Sequence, residues 1–341
     1  MEEYLNQLNQ DIKDIFENDI ETAKAYVVPT RNDPNLTFPI GSTKKGKLIE
    51  TCVLMVDIRN STRMCKNLAR DKVRLGKIYS AFIYAMTNIA DEYGYVRNIV
   101  GDRIMVVFEP NDCFKYAINC AAVMYTVATR ILAKYTGLAE FKVGIGIEFG
   151  EMMVLKAGIP KRNHEQAEHK GLVWVGDAAN IASKLCDFSN KSYSSPIFKV
   201  TYEKSFYEDV LITEIRKPTT ILESYLNRNR VIGMTEKKMV KRPSTDRLNY
   251  IDFAKKIKIE PQGWKYDGNK VLSFEMENRT GTSSSILISG KVHDEFKKAN
   301  PQSPFLEKIR KVDYPNMPIT GTGVSSAYLI VPEIAKIKIK E

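Results

Sequence analysis

The stretch Thr51-Cys-Val-Leu-Met-Val56 is a short, continuous apolar run that stops abruptly at Asp57 and continues as Ile58-Arg59-Asn60-Ser61-Thr62. A run of that length without alternation has the pattern of a buried strand. Asp57 is therefore a carboxylate at a strand end, just before a helix start. There Asn60, Ser61 or Thr62 can cap, and free backbone N–H groups can hold phosphate. Working outward, the spacing predicts one or two helices over 62–92, with Ile78, Phe82, Ile83, Met86 and Ile89 on one face. Two strands follow, Tyr95–Val100 and Ile104–Phe108, joined by Gly101, Asp102 and Arg103 as a tight hairpin. A helix over about 112–134 carries Phe114, Ala117, Ile118, Ala121, Tyr125, Ala128 and Ile131 as its apolar stripe. Strands are expected at 141–149, 152–157 and 172–175, a helix from near Asp177, and a last strand and helix through 196–208.

Strand, helices, hairpin, helix, strand pair is the order of an α+β fold, a ferredoxin-like sandwich with helices on one face of an antiparallel sheet. In that topology the first strand and the hairpin are neighbours, so Asp57 and Asp102 can converge on one spot. Two aspartates beside a phosphate cradle suit hard divalent cations, Mg²⁺ or Mn²⁺.

The chain has 341 residues, room for two domains, and its 43% hydrophobic and 27% charged residues exclude a largely disordered protein. No apolar stretch approaches the ~18 uninterrupted residues of a membrane span, and Met1 opens on Glu2 and Glu3 rather than a basic, apolar leader. A cytoplasmic protein without a membrane span is the expectation. The five cysteines are odd in number, and four lie in apolar-periodic segments, as free thiols in a reducing compartment do. The net charge of +10 is uneven: residues 1–210 hold 27 basic against 26 acidic side chains, and the remainder holds 24 against 15. That asymmetry speaks for two units with different jobs rather than one polyanion-binding surface.

Residues 1–47 read as an N-terminal helix over 1–26, packed on the body or on a partner, and a Pro- and Gly-bearing loop. Residues 48–210 are the first domain, 211–249 a basic linker, and 250–341 a smaller strand-rich C-terminal domain with strands near 271–276, 285–288 and 327–331. Residues 159–171 form a polar excursion. Three motifs fail on context. Gly41-Ser-Thr-Lys-Lys-Gly46-Lys47 resembles a phosphate loop, but Leu48 stands where Ser or Thr should hold magnesium, and a strand follows instead of a helix. Gly144-Ile-Gly146-Ile-Glu-Phe-Gly150 is one residue too long for a dinucleotide fingerprint; strand glycines that permit close packing explain it better. His164 and His169 are five apart and would not share a helix face.

Four blocks together closely resemble the class III nucleotide cyclase catalytic domain, in its order and spacing, over roughly residues 48–208. They are Val53–Thr62, Val100-Gly-Asp102-Arg-Ile-Met-Val-Val-Phe108, Lys142–Gly150 and Val175-Gly-Asp-Ala-Ala-Asn180-Ile-Ala-Ser-Lys-Leu185. The resemblance implies that Asp57 and Asp102 bind two divalent cations, helped by the Ile58 carbonyl, and that Asn180 orients the ribose. Lys184 stands where the family places an arginine, a point charge in place of a bidentate fork. It also implies a homodimer with two interfacial active sites, the aspartates from one subunit and Asn180 from the other.

Purine cyclases of this family read the base with a lysine and an acidic or polar residue at the positions held here by Asn98 and Val173, with Arg97 and Trp174 beside them. The whole pattern looks like the pyrimidine cyclases of bacterial antiphage defence, the Pycsar systems. The implied substrate is UTP or CTP, with UTP slightly favoured. The implied product, cyclic UMP or cyclic CMP, acts on a separate effector protein, and the C-terminal part is implied to be a sensor domain. The alternatives are an adenylate cyclase with an atypical base pocket and a nucleotide-sensing module that does not cyclise.

Overall fold

The computed structural model describes residues 1–38, 44–138, 141–158, 171–216, 230–312, 314 and 327–330. The chain forms two compact units, Met1–Ser192 with Thr282–Glu341, and Tyr193–Gly281. The first opens with α1 (Glu2–Glu17), β1 (Ile20–Lys24), β2 (Lys44–Ile58), α2 (Ser61–Asn67), α3 (Lys72–Tyr93), β3 (Tyr95–Val100) and β4 (Arg103–Val107). It continues with α4 (Cys113–Thr126), a π-helical segment (Val127–Leu132) leading into α5 (Ala133–Thr136), β5 (Val143–Ala157), β6 (Gly171–Val175) and α6 (Asp177–Phe188). The second unit holds β7 (Ser192–Arg216), β8 (Arg230–Asn249), α7 (Tyr250–Lys256), β9 (Ile257–Glu260), β10 (Gly263–Tyr266) and β11 (Asn269–Thr282). The chain then returns to the first unit with β12 (Ile286–Ser289), α8 (Gly290–Ala299), β13 (Ile309–Val312) and β14 (Ala327–Ile330).

β2 is the axis of the first unit. It runs antiparallel to β4 on one side, from Val53–Val107 to Val56–Ile104, and to β5 on the other, from Lys47–Val154 to Ile58–Val143. β3 flanks β4, and β12 lies parallel to β5, pairing Ile286–Ile145 through Ile288–Ile147, with β14 and β13 beyond it. Alternate residues of β2 serve different layers. Cys52, Leu54, Val56 and Ile58 pack with Phe82 and Met86 of α3, Ile118 of α4 and Phe296 of α8. Val53 and Met55 turn to the other face, against Ala178, Ala179, Ala182 and Cys186 of α6. Fully buried side chains such as Phe82 and Met86 contribute about 1.5–3 kcal/mol each.

Helices thus cover both faces of the sheet, not one as the element order suggested. This is why β2 reads as an unbroken apolar run. Among the described residues, Cys113–Thr136 is long and apolar enough to cross a membrane by length and composition. Ala117, Ile118, Ala121 and Met124 spend that apolarity on the core.

The structure also redraws the boundaries expected between residues 192 and 341. The segment 196–208 is all strand and belongs to the second unit, and 211–249 is no linker where it is described: β7 and β8 pair from Ile197–Asn249 to Arg216–Arg230. These strands carry charges on exposed faces, joined in places across the pair as Arg242–Glu208 at 2.6 Å, so no apolar alternation marks them. The expected domain 250–341 is divided. Its first part completes a sheet of order β8-β7-β11-β10-β9, packed on Val200, Tyr202, Leu248 and Tyr266, and its last part completes the sheet of the first unit. The strands expected at 141–149 and 152–157 are one, β5. The N-terminal helix covers Glu2–Glu17 with none of its residues buried. His164, His169 and the excursion before Gly171 lie outside the described residues, as do Gly41–Thr43.

Candidate active site

The register Val56–Ile104, continued by two residues, sets Asp57 opposite Arg103 and Ile58 opposite Asp102. Gly101, at φ +63°, makes the hairpin turn that places Asp102 there, a conformation favouring glycine. Asp57 shares its face with Val53 and Met55, so its side chain turns toward α6. It is buried, at 6% exposure, whereas Asp102 is half-buried. Both aspartates stand at the same end of the β2–β4 pair, where the Asp102 charge acts on both Arg59 and Tyr79.

Two guanidinium groups hold Asp57. Arg59 lies against its Oδ1, and Arg103 Nη2 donates to its Oδ2 at 2.7 Å. Both arginines continue to α6. Arg59 Nη1 donates to the Asp187 carbonyl at 3.1 Å, while Arg103 donates to Ser183 Oγ at 3.0 Å and to the Asp187 carboxylate. Burial lowers the pKa of Arg59, opposed chiefly by the neighbouring Cys186 and Asp187. Beside Asp102, Tyr79 pairs with Cys65 at 3.4 Å; burial, that pair and the Asp102 charge raise the pKa of its hydroxyl. Arg59, Arg103, Ser183 and Asp187 are the residues that sequence reasoning missed. The available signal was adjacency: Arg103 follows Asp102, and Arg59 is two residues from Asp57, just past the end of the strand.

Asn60 sits at the cap of α2 in the left-handed region, at φ 59°, which asparagine tolerates, but its side chain makes no capping bond. Ser61 is half-buried and Thr62 exposed. On α6, Asn180 and Lys184 are both exposed and one turn apart, so they share a face. The close approach of that helix explains two strand glycines: a Cβ on Gly146 would stand 2.2 Å from the Ala182 carbonyl oxygen, and one on Gly144 would stand 2.6 Å from Arg59 Cζ.

Elsewhere on the sheet, Arg97 lies at a register shift between Val96 and Asn98, a bulge that re-aims its side chain. Its guanidinium stacks over Tyr95 at 4.7 Å, with Nε buried and unpaired. A cavity of about 180 Å³ there is lined by Thr30, Arg31, Val96, Arg97 and Leu172, joining β3 to β6 and the N-terminal segment. Asn98 and Val173 are exposed and do not line it; Trp174 keeps a buried, unpaired Nε1.

Oxygen donors from two carboxylates are the set a hard divalent cation takes. Although Arg59 lies against Asp57 Oδ1, that oxygen receives no hydrogen bond of good geometry and keeps a lone pair that such an ion can take, so the residues fit it. No cluster of three or more His, Cys, Asp or Glu side chains suited to a metal occurs among the described residues. Two carboxylates leave further coordination positions to water and phosphate, as magnesium sites commonly do.

The axial strand with its hairpin, and the asparagine helix laid against them, are the parts the four sequence blocks implied. The chain belongs to the class III nucleotide cyclases. Its relatives include the uridylate cyclases of Gulbenkiania mobilis (29% identical over 186 residues, 51% of this chain and 67% of the relative) and Xanthomonas perforans (30% over 179 residues, 50% and 71%). The cytidylate cyclase of Staphylococcus aureus is 33% identical over 123 residues, 33% of this chain and 28% of the relative. The adenylyl cyclase CyaB from P. aeruginosa, a solved structure, matches at 14% identity with a TM-score of 0.44, over 86% of this chain and 99% of that one. No family model matches.

Proposed function

We propose that this protein is a pyrimidine nucleotide cyclase, converting UTP or CTP to the 3′,5′-cyclic monophosphate and pyrophosphate, with UTP favoured. The observation that supports the reading is that Asp57 and Asp102 lie at the same end of the β2–β4 pair, in a chain whose relatives are named uridylate and cytidylate cyclases. Asp57, Asp102 and the Ile58 carbonyl would hold Mn²⁺ or Mg²⁺; when bound, the ions offset triphosphate charge and lower the pKa of the attacking 3′-hydroxyl. Asn60, Ser61 and Thr62 border the triphosphate. Asn180 orients the ribose, and Lys184 brings a positive charge to the phosphorus as oxygen charge builds there. Arg97 and Asn98 belong to the base end, where Arg97 and Trp174 contribute unpaired donors suited to a carbonyl-rich pyrimidine edge.

Asn180 and Lys184 face solvent while Ser183 and Asp187 of the same helix hold Arg103, an arrangement that supports a homodimer in which each α6 completes the partner's site. A cytoplasmic setting, a separate cyclic-nucleotide effector and a role in antiphage defence complete the proposal, supported by the sequence resemblance alone. The test is incubation with each of the four nucleoside triphosphates and Mn²⁺, followed by product identification. Cyclic UMP or cyclic CMP should dominate and vanish in Asp102→Asn; faster formation of cyclic AMP would overturn the reading.

A further inference from the structure

Asp57 enters its proposed role already neutralised. Its carboxylate is only 8% exposed and has one guanidinium on each oxygen, Arg59 at Oδ1 and Arg103 at Oδ2. A divalent cation on the same carboxylate is a third positive group beside two guanidinium groups, so its binding competes with both ion pairs. The two arginines differ in freedom. Arg59 is 4% exposed at its side chain, is laid over Gly144, where a Cβ would stand 2.6 Å from Cζ, and is tied to the Asp187 carbonyl at 3.1 Å. Arg103 is 34% exposed, starts at a hairpin turn, and already has two other acceptors, Ser183 Oγ at 3.0 Å and the Asp187 carboxylate. It can leave Asp57 and remain hydrogen-bonded. Arg59, almost fully buried between Gly144 and α6, has far less room to leave.

We propose that Arg103 is the built-in counter-ion of Asp57, the group that yields when a divalent cation takes the carboxylate, and that it thereby sets the cation affinity of the site. Ser183 and Asp187 are its resting place after release. The inference rests on the cyclase reading, because it takes Asp57 as a cation ligand. Arg103 is a positioning residue in this scheme. It acts through Asp57 and touches no reacting atom.

The test is a Mn²⁺ titration of the full chain without nucleotide, following loss of the free-ion signal by electron paramagnetic resonance. Arg103→Gln should bind Mn²⁺ about tenfold more tightly, since roughly one ion pair no longer competes. Arg103→Lys, which keeps the charge, should stay near wild type, and Arg63→Gln, an equal charge loss on α2, should change little. Asp187→Asn removes the resting place and should weaken binding, a shift opposite in sign to that of Arg103→Gln. Thermal unfolding of each variant checks that it folds, and the Asp187→Asn arm stands if Arg103→Gln does not. Unchanged or weaker binding in folded Arg103→Gln, or unchanged or tighter binding in Asp187→Asn, overturns the inference. If Asp57→Asn and Asp102→Asn abolish Mn²⁺ binding while the Arg103 and Asp187 variants leave it alone, only the role of Arg103 fails. If the aspartate variants also bind as wild type does, the cyclase reading of the carboxylates falls with it.

Discussion

Arg59, in the turn just past the end of β2, folds back on Asp57, and the two neutralise each other out of water. Breaking such a buried pair costs about 3–5 kcal/mol, because the remaining charge has lost its compensation. Arg59→Ala should accordingly lower the unfolding free energy by that order, read as a lower chemical denaturation midpoint, and an unchanged midpoint would contradict the burial argument. The same reasoning disqualifies Asp57→Ala as a clean activity knockout; half-buried Asp102 is the better position. A second buried carboxylate, Glu148, is 3% exposed. Its Oε1 accepts from Ser289 Oγ at 2.7 Å and from the Phe149 N–H at 2.9 Å, while Oε2 has no partner. Burial raises its pKa above the usual carboxylate value. The folded state then holds the proton more tightly than the unfolded state. Stability is therefore fullest below the ordinary glutamate range and falls as pH rises through the window up to the raised value. Thermal unfolding across mildly acidic pH should show that decline in the wild type and a flatter profile in Glu148→Gln.

At the scale of elements, α6 and β5 form the contact on which the site depends. Gly146→Ala places a methyl 2.2 Å from the Ala182 carbonyl oxygen and 2.3 Å from the Cys186 nitrogen. Both are backbone atoms, so the helix must move. A clear loss of thermal stability together with loss of cyclisation is expected; retention of both would mean that α6 is not held there. Local signals made much of this legible in the sequence. The abrupt stop at Asp57, the Gly101-Asp102 turn and the helix beginning at Asp177 each lie within a few residues of the feature they announce. The arginine bridge was not legible, because Arg103 meets Ser183 and Asp187 some eighty residues away. Nor was the role of Ile286–Ser289 and the helix after it: a four-residue apolar run names no partner, and the intervening unit broke the expected strand order.

For the whole molecule, the exposed pairing of Asn180 with Lys184 on one helix face bears on assembly. If each α6 serves a partner's aspartates, Asn180→Ala and Asp102→Asn should each be inactive alone and active when mixed. With random exchange, half of the dimers carry one intact site of two, so about a quarter of wild-type turnover should return. No recovery from a verified mixed dimer would point to a site built within one chain. The pairing of β12 with β5 has a consequence of another kind, in the order of biosynthesis. Ile145 to Ile147 wait for Ile286 to Ile288, roughly 140 residues downstream, which at ~5–20 residues per second is on the order of ten seconds of translation. Throughout that interval the outer edge of this part of β5 is an open template for other strands. A nascent chain cannot close its catalytic sheet before the ribosome has finished the inserted unit, and a product released before residue 286 carries that sticky edge permanently.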